Sequence, residues 1–170
     1  MSEDRRRLVV EQIPHLRRYA IALMRNREAA EDLVQDCLER AWSRLHLWRR
    51  GSNMRTWLFT IMHNLHANIR RKDHRQPHPI SLDDAGAGAS TPASQEARLE
   101  IRSLADALAL LPEDQRAVVL LVGLEESSYQ DAATILDIPV GTVMSRLHRG
   151  REKLRVTMAG TMVPALRRIK

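Results

Sequence analysis

Thr142, Ser145, Arg146, His148 and Arg149 turn hydroxyl, imidazole and guanidinium groups toward one side of a single amphipathic stretch. With no nucleophile, base and acid set among them, their chemistry is recognition: hydrogen bonds and positive charge offered to phosphates and to the edges of bases. Val143, Leu147 and Leu154 form the apolar stripe behind them. Glu152 is the only acid between Val140 and Val156, whereas a merely solvated helix face more usually mixes lysine with glutamate.

The elements that must hold this face are legible on both sides of a break. Ala132, Ala133, Ile135 and Leu136 mark one helical face, and Asp137-Ile138-Pro139-Val140 interrupts its period. Pro139 lacks an N–H and fits only the first turn of a helix, so a second helix is expected from about Pro139 or Val140 through Leu154. A helix, a tight turn and a basic second helix match a reader of the DNA major groove. An ordinary helical hairpin with a basic surface is the plainer reading.

A second constellation lies near the N-terminus. Between Arg27 and Trp42, Glu28, Glu31, Asp32, Gln35, Asp36 and Glu39 recur at three- and four-residue steps, with Ala30, Leu33, Val34, Cys37, Leu38 and Ala41 filling the other side. Like charges at these spacings repel, so the acidic face of this amphipathic helix suggests a basic docking partner, or simply a solvated surface. Further on, the Trp48 to Met54 stretch is a loop signal, and Trp57, Leu58, Ile61, Leu65 and Ile69 stripe a helix that ends in Arg70-Arg71-Lys72. Cations at that end suit the helix dipole and a phosphate backbone alike.

The residues from Leu111 to Arg116, Ser128 to Ala133 and Ile138 to Gly150 resemble region 4 of an extracytoplasmic-function (ECF) sigma factor of the sigma-70 family, a promoter-specificity subunit of bacterial RNA polymerase. Asp137 stands where that family usually has glycine, Met144 where it often has a basic residue, and Gly150 where it usually has alanine. Asp tolerates the left-handed turn, Met144 removes a possible DNA contact, and Gly150 lowers helix propensity by about 1 kcal/mol.

Ala29 to Trp42 is similar to the sigma region 2 helix that docks on the β′ clamp helices, which implies core-polymerase contacts at Asp32, Gln35, Asp36 and Glu39. Trp48 to Lys72 is similar to regions 2.3 and 2.4, implying that Trp48, Arg49, Arg50, Gly51, Ser52, Asn53 and Met54 form a loop that captures a flipped minus-ten base. Asn64 is then a base contact, Arg70, Arg71 and Lys72 back up the same element, and Thr142, Ser145, Arg146, His148 and Arg149 read the minus-35 element. Unstacking costs a few kcal/mol per step, and a pocket for the extruded base offsets it. The resemblance covers about residues 10 to 72 and 97 to 156 and further implies the β flap and an anti-sigma factor as partners, in a cytoplasmic protein of stress-type regulation.

The expected fold is all-α: two small helical domains, residues 1–75 (sigma region 2) and 97–170 (region 4 with a C-terminal tail), joined by a flexible linker over 76–96. The linker is set apart by composition, with three prolines, two glycines and Asp83-Asp84 between Gln76 and Ser94. Net charge falls from +7 over 1–75 to −3 over 76–96 and +2 over 97–170. The overall +6 favours a polyanionic partner without choosing DNA over RNA or a membrane surface. One cysteine excludes an internal disulfide, and no apolar run approaches the roughly 20 residues that span a bilayer. His63, His66, His74 and His78 could bind zinc only with ligands the spacing does not supply, and no nucleotide, phosphate-loop or nucleophile signature is present, so neither a metal, a cofactor nor an enzyme is expected. Two rival functions are a sigma-like decoy that sequesters an anti-sigma factor and a stand-alone helix-turn-helix regulator. The residues Met1 to Val10 and Ala159 to Lys170 have no assigned role.

Overall fold

The computed structural model describes residues 2–73 and 95–166. The expected linker, apart from its last two positions, lies outside the described residues, as does the end of the tail. Among the described residues every regular element is helical: α1 (Ser2–Met24), α2 (Arg27–Arg44), α3 (Met54–Asp73), α4 (Gln95–Ala109), α5 (Glu113–Val119), α6 (Tyr129–Leu136) and α7 (Val140–Leu166). A short 3-10 turn, Leu45–Leu47, follows α2, and a π-type segment, Leu120–Leu124, follows α5.

Local chemistry sets most of the boundaries. Asn26 is extended and its side chain accepts from the Ala29 N–H, which starts α2. Asn53 does the same for α3, with its Oδ1 3.0 Å from the Arg55 nitrogen. Ser128 caps α6 by accepting from the Asp131 N–H and donating back to the Asp131 carboxylate at 2.7 Å. Asp137 ends α6 at φ 52° and ψ 49°, the left-handed conformation expected of it, so it replaces glycine at the turn. α7 runs well beyond Leu154 to Leu166, which makes part of the unassigned tail helical.

The first three helices pack as one bundle and the last four as another. Leu16, Tyr19, Leu33, Leu58, Phe59 and Met62 fill the first core, with the rings of Tyr19 and Phe59 edge to face at 5.1 Å. Val118, Leu120, Leu121, Ala132, Ile135, Val143 and Leu147 fill the second. Gly150 is buried where α7 crosses α5, and a Cβ there would stand 2.7 Å from Val119 Cγ2. The helix-weakening glycine therefore permits a close approach of two helices.

The two bundles are not held apart. α3 packs along α6, and α1 touches both α5 and the π-type segment, so the buried residues of both bundles form one continuous cluster. The sequence stripe on α3 gave Leu58 and Ile61 correctly as buried, but Phe59, Met62 and His66 are buried too, because α3 is enclosed on more than one side.

Candidate nucleic-acid interface

On α7, Ser145, His148 and Arg149 are exposed, and Thr142 and Arg146 are half-buried. The Ser145 hydroxyl donates to the Thr142 carbonyl at 3.1 Å, and Arg149 Nε donates to the Ser145 carbonyl at 3.3 Å, so the arginine lies along its own helix. Arg146 differs: its Nε is 3.2 Å from Asp114 Oδ2, tying α7 to the start of α5. Met144 is 52% exposed on the same outward side, so an apolar group sits among the polar ones.

The α2 face is as the pattern predicts. Asp32, Gln35, Asp36 and Glu39 are exposed, opposite the buried Ala30, Leu33, Val34, Cys37 and Ala41. Gln35 donates to Glu39 at 3.1 Å, and Glu31 at the margin pairs with Arg17 of α1 at 3.0 Å. Burial pushes the Cys37 thiol up to about 12, which leaves it protonated and unreactive at neutral pH.

Between α2 and α3 the chain folds into a tight loop. Ser52 donates both its N–H, at 3.1 Å, and its hydroxyl, at 2.7 Å, to the Arg49 carbonyl, and Gly51 adopts φ 89°, which glycine alone takes easily. Trp48 and Met54 are buried, whereas Arg49, Arg50, Gly51, Ser52 and Asn53 are exposed. Asn53 has its side-chain oxygen committed to capping α3, so it supports the loop rather than offering that oxygen to a ligand. A cavity of about 340 Å³ opens here, lined by Trp48, Arg50, Gly51, Ser52 and Met54 from the loop side and by Asp4, Arg5 and Leu8 from α1. The α1 residues were not identified from sequence; a charged run at a chain's start carries no period that would tie it to a loop 45 residues away.

Along α3, Asn64, Arg71 and Lys72 are exposed. Arg70 is drawn across to the other bundle, where its Nε meets Glu113 Oε2 at 2.7 Å. His66, 4% exposed, has its Nδ1 3.4 Å from Glu113 Oε1. Burial holds the His66 and His63 imidazoles below their ordinary titration range, so both are neutral at neutral pH. Among the described residues no group of His, Cys, Asp and Glu is placed to hold a metal ion.

The strongest polar feature was also invisible in the sequence. Glu125 has a fully buried side chain and receives three cationic or potentially cationic partners from the other bundle: Arg18 Nε at 2.8 Å, His15 Nδ1 at 3.0 Å, and Arg55. Glu126 beside it has φ 52°, which turns the chain after the π-type segment and sends Glu125 inward. Thr56 donates to Asp131 at 3.0 Å, and Arg18 also donates to the Leu124 carbonyl at 3.1 Å. A buried carboxylate this well surrounded joins α1 and α3 to the loop that precedes α6.

Comparison with known proteins gives two family matches: the sigma2 domain of PhyR over residues 9–63, and sigma-70 region 4 over residues 101–154. The chain is 40% identical over 154 residues to the ECF RNA polymerase sigma factor EcfG of Rhodopseudomonas palustris, covering 91% of this chain and 84% of that one. It is 37% identical to the ECF sigma factor SigL of Mycobacterium tuberculosis, covering 90% and 88%. Among solved structures it resembles the sigma factor RpoE of Bartonella quintana in complex with the anti-sigma factor NepR, at a TM-score of 0.79 and 31% identity over 94% of this chain and 98% of that one. It also resembles CnrH in complex with the cytosolic domain of CnrY, at a TM-score of 0.68 and 25% identity over 94% and 90%.

Proposed function

The chain belongs to the ECF RNA polymerase sigma factors, which bind core polymerase and direct promoter-specific initiation, and from that premise we propose how its surfaces divide the work. The acidic face of α2, with Asp32, Gln35, Asp36 and Glu39, docks on the β′ clamp helices. The residues after 97 approach the β flap and place α7 in the major groove of the minus-35 element. The loop Trp48–Met54 takes up one extruded minus-ten base, Asn64 contacts a neighbour, and Arg70, Arg71 and Lys72 hold the phosphate backbone. Binding energy for the captured base offsets unstacking, so recognition becomes strand opening.

One observation carries this reading: α6 and α7 form a capped helix-turn-helix whose second helix exposes Ser145, His148 and Arg149. The other two surfaces support it by their chemistry, an acidic stripe on an exposed face and a base-sized cavity beside a cationic helix end.

The packing of α6 on α3 adds a condition. Arg70 reaches a phosphate only by leaving Glu113, and an anti-sigma factor that holds the bundles together keeps that ion pair closed. A decoy function is the second reading, favoured by the match of residues 9–63 to the sigma2 domain of PhyR. The basic face of α7 speaks against it, since sequestering an anti-sigma factor needs no groove-reading arginines. Run-off transcription with purified core polymerase on a genomic fragment library separates the two: discrete start sites support promoter recognition, and a chain that starts no transcript while binding an anti-sigma factor supports the decoy.

A further inference from the structure

Met144 does not fit the chemistry of the surface around it. It stands in the second turn of α7 and is 52% exposed, whereas Val143 and Leu147 of the same helix are buried. The residues exposed with it over these turns are Gly141, Ser145, His148 and Arg149, so among the described residues from 140 to 150 it is the one apolar side chain turned to solvent. Side chains on a helix lean toward its N-terminus, and three places before Met144 stands Gly141. Even a Cβ added at Gly141 meets no atom within 4 Å, so the turn over which the thioether leans is bare.

A thioether donates no hydrogen bond and accepts one only weakly. Against the amino group of adenine or cytosine, or against N7 and O6 of guanine, it displaces water and gives no comparable bond in return. Thymine differs, because its C5-methyl group projects into the major groove beside O4. A methyl group laid on a thioether is a contact for which both partners leave water favourably. The first turns of the second helix in a helix-turn-helix are those that meet base edges, which puts Met144 at the level of the bases rather than of the phosphates. Ser145, His148 and Arg149 beside it carry the polar contacts that it cannot make.

We propose that Met144 is a specificity-determining residue for the minus-35 element, reading one thymine through its C5-methyl group. The inference rests on the reading of α7 as the minus-35 helix and adds to its polar groups a contact of a different kind, made by a side chain that offers no hydrogen bond of its own.

The test is holoenzyme transcription, with the full chain and core polymerase, from a template library randomised through the minus-35 element. The selected promoter is then rebuilt with deoxyuridine in place of each thymine in turn, on either strand, which removes the methyl group and leaves every hydrogen-bonding group where it was. With the wild-type chain, output falls about fourfold at one thymine, the worth of one methyl group taken out of water. Met144→Leu keeps that sensitivity, because it keeps an apolar side chain of similar size. Met144→Gln abolishes it, while preferences at the other positions of the element persist. Met144 is exposed, so neither substitution disturbs the fold, and matching thermal midpoints verify this. A selected element without thymine, a promoter on which no exchange for deoxyuridine matters, or a methyl effect that survives Met144→Gln overturns the proposal and leaves minus-35 reading by α7 standing. Output indifferent to the whole minus-35 element overturns both.

Discussion

The two DNA-reading helices proposed for this chain stand in opposite states. α7 carries its polar face outward, and the groups on it bond only to their own helix or, for Arg146, to the neighbouring α5. α3 is engaged along one side by the other bundle, with Arg55 on the buried Glu125 of the loop before α6, Thr56 on Asp131 of α6, and His66 and Arg70 on Glu113 of α5. Under the proposed division of work, the difference teaches that a helix can be presented whole to a duplex while another is engaged along one side and exposed along the other, with Asn64, Arg71 and Lys72 facing outward and Arg70 tied to Glu113.

Removing the buried carboxylate attacks this contrast most directly. Glu125→Ala leaves Arg18, Arg55 and His15 facing each other without their counter-charge; because the arginines are partly solvated, the expected cost is about 2 kcal/mol rather than the larger loss typical of a fully buried pair. Hydrogen exchange in α3 and α6 should then rise while the α1–α2 contacts stay protected. Unchanged exchange in α3 would mean that apolar packing alone keeps the face covered.

The two arginines of α7 sharpen the other side. Arg149→Ala should weaken minus-35 discrimination by about 1–3 kcal/mol and leave the thermal midpoint unchanged, since the side chain bonds only within its own helix. Arg146→Ala should lower both, because it also unties α7 from Asp114. Competition transcription on promoters varied at the minus-35 element, read beside thermal melting, distinguishes these patterns. Asp36→Arg provides the control for docking: it should abolish capture of the chain by core polymerase with no change in fold, and retained capture would remove α2 from the docking assignment.

Smaller effects test the packing beneath each reader. Gly150→Ala gains about 1 kcal/mol of helix propensity yet drives a methyl to 2.7 Å from the stiff Val119, so the net change should be a loss of about 1 kcal/mol. Combining it with Val119→Ala should recover the loss, and denaturant melts of the single and double variants measure it. The smallest effect is that of pH. His66 is held below its ordinary pKa by burial, so the unfolded chain takes up its proton first. The contribution of a neutral His66 is complete above about pH 6.5 and is lost as pH falls through the lower folded value. Melting of the wild type should decline over that range, and His66→Gln should flatten the decline.

Local features told most of the story for the helix-turn-helix. Asp137 and Pro139 each do what their side chains do anywhere, so the left-handed residue and the start of α7 followed from local spacing, whereas the Ser128 cap came from the structure. The α2 pattern was equally plain, since an amphipathic period fixes which side is buried whatever covers it. Within the loop the reading was less complete: the segment was right, yet Asn53 is used as a helix cap and Trp48 is buried while still lining the cavity.

Sequence alone therefore determined an all-helical chain, the two helices of the helix-turn-helix, the exposed acidic face of α2 and the loop before α3, because each depends on residues within a few turns of one another. Only the tertiary structure decided that Glu125, in a dipeptide of acids that reads as solvated surface, is buried against partners 70 to 110 positions away. It also decided that α1 walls the cavity and that α6 covers α3. Periodicity reports that a face is apolar or charged; which other face it meets depends on how distant segments pack, and no local spacing contains that information.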